Sequence, residues 1–161
     1  MKGIASLCLQ KNDATLQIKR VLVDRLKESY TRVADLNRVW GTTFTDWDAL
    51  LQPFELTAAQ LGSGQADLKR LDVLIAEQYF RVCREAMNEQ MPGVLYLGCR
   101  FSGAYVRHIV DVARKYCDVM SFNIYAELPS ERTADELATE LDFPVVIGEF
   151  HFGALDRGMF H

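Results

Sequence analysis

Short apolar runs alternate with amphipathic stretches in the second half of the chain, and this alternation constrains the fold more than any other feature. The runs are VLYLGC (94–99), DVMSFNIY (118–125) and PVVIGEF (144–150). The stretches between them, 102–117 and 130–141, carry apolar residues at steps of three and four, the period of an amphipathic helix. Apolar strands that alternate with helices are typical of a parallel sheet covered by helices. We therefore predict an α/β fold whose three strands are parallel and adjacent in chain order.

The first half of the chain is predicted to be helical. Residues 16–30 place an apolar residue every four positions and surround that stripe with charged residues, among them Lys19. Residues 32–41 form a second predicted helix that ends at Gly41, a residue type common at helix C-termini. The stripe of the first helix consists of Ile18, Leu22 and Leu26.

A flexible break is predicted at LGSGQ (61–65), because glycines and serine interrupt the apolar pattern there. A long helix follows it, from about Asp67 to Glu89. Its apolar face is predicted to consist of Leu68, Leu71, Ile75, Tyr79, Val82 and Ala86.

Composition and charge exclude several classes of function. The 161 residues carry a net charge of −4, which provides no basic surface for a nucleic acid. No apolar stretch approaches the roughly 18 residues needed to cross a membrane. The opening residues, MKGIASLCLQKND, have too short an apolar part for a signal peptide, so the localisation stays open. We expect neither a nucleic acid nor a membrane as partner.

The cysteines and histidines suggest no metal site. Cys8, Cys83, Cys99 and Cys117 have wide spacings, unlike the paired cysteines of a zinc site or the dense pattern of a disulfide scaffold. Histidines and carboxylates show no ligand spacing either. Cys99, next to Arg100, could be considered as a catalytic thiol, but no partner that could act as a general base is evident beside it in the sequence. We therefore expect free thiols, no metal and no cofactor.

Polar residues follow the predicted strands. Arg100 follows the first strand, Asn123 and Tyr125 end the second, and Glu149 ends the third. Functional groups of parallel α/β folds gather at the carboxyl edge of the sheet, so these four side chains are expected to converge. A carboxylate, a guanidinium, an amide and a phenol together suit a hydroxyl-rich ligand such as a sugar. The alternative is a structural ion pair between Arg100 and Glu149.

Four segments make the chain similar to a known family. PVVIGEFHFGALDRGMFH (144–161) closely resembles the segment that bears the nucleophile in glycoside hydrolase family 50 β-agarases, and VLYLGCRF (94–101) and KYCDVMSFNIY (115–125) resemble the two strands before it. LKESYTRVADLNRVWGTTFTDWDALL (26–51) resembles the stretch after the acid/base strand of that family and of family 42 β-galactosidases. The resemblance runs from about residue 16 to the end of the chain.

This resemblance implies a (β/α)8 barrel and a retaining glycosidase without a cofactor. The three strands would be strands five, six and seven of the barrel, so residues 1–161 would form part of a catalytic barrel, from about helix four to strand seven, truncated at both ends. Glu149 would be the nucleophile. The sugar would be contacted by Arg100, Asn123, Tyr125 and His151.

The acid/base residue of the family, a Glu usually preceded by Asn, is expected to lie before Met1. The Asn88-Glu89 pair falls at a helix end before a turn, so we interpret Glu89 as a solvated residue. The expected substrate is a polysaccharide or oligosaccharide with β-linked galactose, agarose in particular. Two alternatives stay open: a β-galactosidase-like enzyme of the same clan, and a non-catalytic α/β module that binds a carbohydrate or a partner.

Overall fold

A computed structural model describes residues 3–102, 105–125 and 131–150. The helices, in chain order, are α1 (Ile4–Lys11), α2 (Gln17–Ser29), α3 (Val33–Trp40), α4 (Ala58–Ser63), α5 (Gln65–Gln90), α6 (Arg107–Ala113) and α7 (Glu131–Leu141), with a short 3-10 turn at Ala49–Leu51. The strands are β1 (Arg100–Ser102), β2 (Met120–Asn123) and β3 (Val145–Glu149). The chain divides into two compact units, residues 1–75 and 76–161, and α5 contributes to both.

The first unit is built on the helices that the sequence predicts. Helix α2 buries Leu22 and Leu26 fully or almost fully in the core, and α3 ends at Gly41, whose φ of 69° is the left-handed conformation of a helix C-cap. Helix α1, which the sequence analysis did not predict, adds Ala5 and Leu9 to the same core. Trp40 is fully buried there and Trp47 packs against the same cluster, so both act as packing anchors.

The predicted flexible break at 61–65 is wrong. Helix α4 occupies residues 58–63, and only Gly64 separates it from α5. Local hydrogen bonding overrides the glycines here, because Thr57 and Gln60 form a reciprocal capping box that starts the helix. Gly64 is needed for space, since a Cβ at this position would lie 3.0 Å from two ring carbons of Trp40.

Lys19 lies in the core, although it belongs to the charged residues that surround the apolar stripe of α2 in the sequence. Its ammonium donates hydrogen bonds to the carbonyl oxygens of Leu9 and of Gln52, the latter at 3.0 Å, and lies 4.5 Å from the centre of the Phe54 ring. Burial lowers the pKa of Lys19 to about 8. Spacing along α2 could not reveal this position, because the acceptors come from residues distant in sequence.

The apolar face of α5 is confirmed in its first half and wrong in its second. Leu68 and Leu71 are buried, but Tyr79 and Val82 are 50% and 46% exposed. Helix α5 instead buries the neighbouring stripe in the second unit, which consists of Ala76 and Phe80. Both stripes are apolar in sequence, so the packing partner decides which one is buried.

The sheet of the second unit confirms the predicted order. Strand β2 lies between β1 and β3, and both pairings are parallel. The sheet centre is apolar, with Met120 and Phe122 of β2 buried, and the ring centroids of Phe101 and Phe122 lie 5.8 Å apart. Parallel strands joined by helices therefore define an α/β fold, as predicted.

The first strand of the structure lies after the segment that was predicted to form it. Residues 94–99 were expected to form this strand, but β1 runs from Arg100 to Ser102. Gly98, with a φ of 66°, interrupts the extended backbone, and a Cβ there would lie 2.5 Å from the sulfur of Cys117. The preceding segment is held by Asp118, whose carboxylate accepts hydrogen bonds from Arg84 and from the amide of Tyr96.

Candidate active site at the carboxyl end of the sheet

Glu149 is the last residue of β3, and both of its carboxylate oxygens are engaged. The Nη1 atom of Arg100 lies 2.6 Å from Oε2 in an ion pair, and the Tyr125 hydroxyl donates a hydrogen bond to Oε1. The Glu149 side chain is 36% exposed and that of Arg100 is 56% exposed. The carboxylate is therefore fixed in orientation and still open to solvent.

Tyr125 and Asn123 reach the site from the end of β2. Asn123 pairs in register with Glu149, and its Nδ2 lies 3.5 Å from the Tyr125 hydroxyl, at the limit of a hydrogen bond. The Glu149 carboxylate raises the pKa of Tyr125, because removing the phenol proton would break the hydrogen bond and place two negative charges together. Tyr125 thus stays protonated and keeps donating to Glu149 near neutral pH.

Arg100 lies at an unexpected position in its strand. Arg100 was expected just past the first strand, whereas it is the first residue of β1 and pairs with Ser121, two positions before Asn123. Its long side chain crosses this distance along the sheet and ends at Glu149. The predicted meeting of Arg100, Tyr125 and Glu149 therefore takes place, although one partner comes from the start of its strand.

Other candidate residues contribute less. His151 lies outside the described residues. Burial raises the pKa of the Cys99 thiol, which keeps it protonated and a poor nucleophile. Within residues 3–102, 105–125 and 131–150, no three His, Cys, Asp or Glu side chains are grouped so as to hold a metal ion. None of the helices described is long and apolar enough to span a bilayer.

The sequence analysis missed two residues beside the site. Gly148 precedes Glu149, and a Cβ at this position would collide with the Ser121 hydroxyl and lie 3.3 Å from Cδ of Arg100. Ser121 is 3% exposed although it is polar. The only signal in the sequence was the glycine itself, which stands inside a strand pattern where it usually marks a bulge or a close approach.

A parallel α/β sheet with a fixed, solvent-accessible carboxylate at its carboxyl edge is an arrangement used by glycoside hydrolases. The model of the glycoside hydrolase 42 family, described as "Beta-galactosidase", matches residues 8–153. The chain therefore belongs to this family.

Similar proteins include β-agarases. "Beta-agarase A" of Vibrio sp. (strain JT0107) is 41% identical over 133 residues, and "Beta-agarase B" of the same organism is 37% identical over 145 residues. These alignments cover 80% and 89% of this chain but 13% and 15% of the relatives. The chain thus spans about one seventh of the length of the curated relatives it matches. The resemblance to β-agarases seen in the sequence is confirmed.

Solved structures agree with the sequence comparison. A structure described as "The crystal structure of an agarase, AgWH50C" is 36% identical, with a TM-score of 0.80 over 98% of this chain and 22% of that one. "Structural analysis of an exo-beta-agarase" gives 34% identity and a TM-score of 0.80 over 95% and 21%. "Structure of PfGH50B" gives 34% and 0.78 over 93% and 21%. The α/β fold is thereby shown to be shared with agarases.

Proposed function

We propose that this chain supplies the nucleophile half of the active site of a retaining glycoside hydrolase acting on β-linked galactan, agarose or a closely similar polysaccharide. Glu149 is the nucleophile, and Arg100, Asn123 and Tyr125 hold it or contact the sugar. The observation that carries the proposal is the Glu149 carboxylate, oriented by Arg100 and Tyr125 at the edge of the sheet and open to solvent. The named activities of the similar agarases support the choice of substrate.

The retaining mechanism requires a carboxylate that is oriented and accessible to the sugar. In a retaining glycosidase the nucleophile attacks the anomeric carbon, forms a covalent glycosyl-enzyme and is displaced by water in a second step. Arg100 and Tyr125 hold the Glu149 carboxylate and limit its rotation, which prepares it for attack. His151 is kept as a proposed sugar contact on the strength of the resemblance alone.

The mechanism also needs an acid/base carboxyl group about 5–5.5 Å from the nucleophile. In the described part of the chain, the side chains bonded to Glu149 are a guanidinium and a phenol, and neither carries a carboxyl group. The resemblance supports an acid/base on strand four of a (β/α)8 barrel, of which residues 1–161 would form helix four to strand seven. The 161-residue chain by itself is therefore expected not to hydrolyse polysaccharide at an enzymatic rate.

A second candidate is a β-galactosidase-like activity, favoured by the description of the family model that matches the chain. The same catalytic residues would act in both cases, and loops around the sugar would choose the substrate. Agaro-oligosaccharides and aryl β-galactosides offered side by side distinguish the two. A carbohydrate-binding module without catalysis would bind sugar equally well with and without an ionisable residue 149.

A graft tests the proposal. This chain replaces the matching segment of β-agarase A from Vibrio, and the graft is assayed on agarose and on dinitrophenyl β-galactoside. We expect activity in the graft, none in the isolated chain, and a loss of more than about 10³-fold with Glu149→Gln, because the amide cannot form the covalent intermediate.

Glu89→Gln is the matched control, because Glu89 is an exposed acid on the last turn of α5. It should leave the activity of the graft unchanged. An active graft that Glu149→Gln does not impair would show that the nucleophile lies elsewhere. Turnover by the isolated chain that survives the same substitution would overturn both the site and the need for a second carboxyl group.

A further inference from the structure

We propose that Gly148 is a positioning residue: it forms a bulge in β3 that turns the Glu149 carboxylate onto the face of the sheet where Arg100 lies. The role of Glu149 as nucleophile rests on the proposed function, but the bulge and its effect on the ion pair do not.

The bulge is visible in the backbone hydrogen bonds. The amide of Met120 donates to the carbonyl of Pro144, and the amide of Ile124 donates to that of Glu149, each at 2.9 Å. The residue numbers differ by 24 in the first bond and by 25 in the second. One extra residue therefore enters β3 between these two points, where the pairing passes from Phe122↔Ile147 to Asn123↔Glu149.

The extra residue changes the face that Glu149 presents. Side chains alternate between the two faces of a sheet, and residues paired in parallel strands share a face. Arg100 pairs with Ser121, so it shares a face with Asn123, two residues further along β2. Without the bulge, Gly148 would pair with Asn123, and Glu149 would share the opposite face with Ile147.

With the bulge, Glu149 takes the place beside Asn123. It then joins the polar face, and the 2.6 Å ion pair with Arg100 becomes possible. β-Bulges commonly serve to redirect a side chain near a functional site. The position of the candidate nucleophile is therefore set by the residue before it.

Glycine is required at position 148 for space. A Cβ would collide with the hydroxyl oxygen of Ser121 and lie 3.3 and 3.4 Å from Cδ and Cγ of Arg100. The stem of Arg100 thus passes over the bare backbone of Gly148 on its way to Glu149. The φ of Gly148 is not among the positive values found at Gly41, Gly93 and Gly98, so backbone freedom is not the reason for the glycine.

The test is Gly148→Ala, read first in the isolated chain by side-chain nitrogen NMR of Arg100. A guanidinium held by a carboxylate rotates slowly, so the parent should show separate Nη signals and the variant should lose them. A second readout is the pKa of Tyr125, which the positive charge of Arg100 lowers. That pKa should fall in Gly148→Ala, because the loss of the hydrogen bond to Glu149, the largest cause that raises it, outweighs the loss of the Arg100 charge.

Activity is measured separately, in the graft with β-agarase A. We expect Gly148→Ala to lower kcat by roughly 10- to 100-fold with a much smaller change in KM, because the nucleophile is displaced while Asn123 and Tyr125 keep their places. Adding Ser121→Ala removes the oxygen that the new Cβ would meet. The double variant should recover most of kcat and the Arg100 signals.

Gly62→Ala is the control, since a Cβ at Gly62 meets nothing within 4 Å. It should change neither readout. Gly148→Ala that keeps the ion pair, or that loses it without lowering kcat, would overturn the positioning role. Where Gly148→Ala alone does not fold, the double variant decides: recovery of the pair and of kcat supports the role, and a folded but impaired double variant refutes it. Failure of the proposed function would appear elsewhere, as an active graft indifferent to Glu149→Gln.

Discussion

The two units of the chain differ in how far their bonded ionisable side chains are exposed to solvent. In residues 1–75, Lys19 is fully buried and Asp67 is 4% exposed. In residues 76–161, Arg100 and Glu149 meet at a sheet edge where both remain partly exposed. The first arrangement contributes mainly to the stability of the core, whereas the second leaves the Glu149 carboxylate partly exposed to solvent.

Asp67 is a buried carboxylate of the first unit that accepts several hydrogen bonds. Its Oδ2 accepts hydrogen bonds from the Tyr30 hydroxyl at 2.6 Å and from the Trp40 indole at 2.7 Å, and its Oδ1 pairs with Arg70. Burial, followed by the hydrogen bond to Asp67, raises the pKa of Tyr30 to about 12. Three elements, the end of α2, α3 and α5, are tied together by one carboxylate.

The largest effect on stability is expected from Asp67→Ala. It removes the buried carboxylate that accepts hydrogen bonds from both the Trp40 indole and the Tyr30 hydroxyl, so the free energy of unfolding should fall by about 2–4 kcal/mol. Urea denaturation of the chain, followed by Trp fluorescence, measures it. Asp24→Ala is the control: its side chain is 65% exposed in a surface pair with Lys27, and it should cost less than about 0.5 kcal/mol. Equal losses in both variants would show that the burial of Asp67 does not increase its contribution to the stability of the first unit.

A smaller, pH-dependent effect is expected from Lys19. Its pKa of about 8 in the folded chain lies below the ordinary value of lysine, so the unfolded chain binds more protons between these two values. Stability therefore rises with pH in this window. The advantage of the parent over Lys19→Met should grow by about 1–2 kcal/mol from pH 8 to pH 10.

Urea titrations of Lys19→Met at several pH values measure this trend. Lys27→Met serves as the comparison, because it removes a positive charge from the surface of the same helix. A difference between parent and Lys19→Met that stays constant with pH would show that the buried amine keeps its proton throughout the range.

A spectroscopic effect is expected at the candidate site. Glu149→Gln removes the negative charge that raises the pKa of Tyr125, while Arg100, which lowers it, stays in place. The pKa of Tyr125 should therefore fall toward the ordinary tyrosine value of about 10. Carbon NMR of labelled tyrosines, with Tyr125→Phe to assign the signal, measures it. An unchanged pKa would mean that the two side chains are not hydrogen-bonded in solution.

The smallest effect is expected from Arg100→Met on stability. Both members of its ion pair are partly exposed, so the free energy of unfolding should change by less than about 1 kcal/mol. In the graft, however, the same variant should lower kcat. A large loss of stability would favour the structural ion pair considered from the sequence and would remove the contrast between the two units.

Local patterns predicted much of the fold. Three signals depend only on residues close in sequence: the spacing of Leu22 and Leu26, the glycine after α3, and the apolar runs at β2 and β3. The helices and strands that they predict are present in the structure. The predictions failed where two local signals competed. The glycines at 61–65 were overridden by a capping box, and the two apolar stripes of α5 could not be ranked without their packing partners.

The candidate site, like the fold, could be predicted from the sequence only in part. The sequence by itself determined the family, the parallel order of the strands and the presence of Glu149 at a strand end, because these depend on residue type and order. Only the tertiary structure decided that Lys19 is buried, that Arg100 starts its strand and that a bulge at Gly148 turns Glu149 toward it. Each of these depends on the register and packing between segments far apart in the chain, where shifting a strand by one residue moves a side chain to the opposite face.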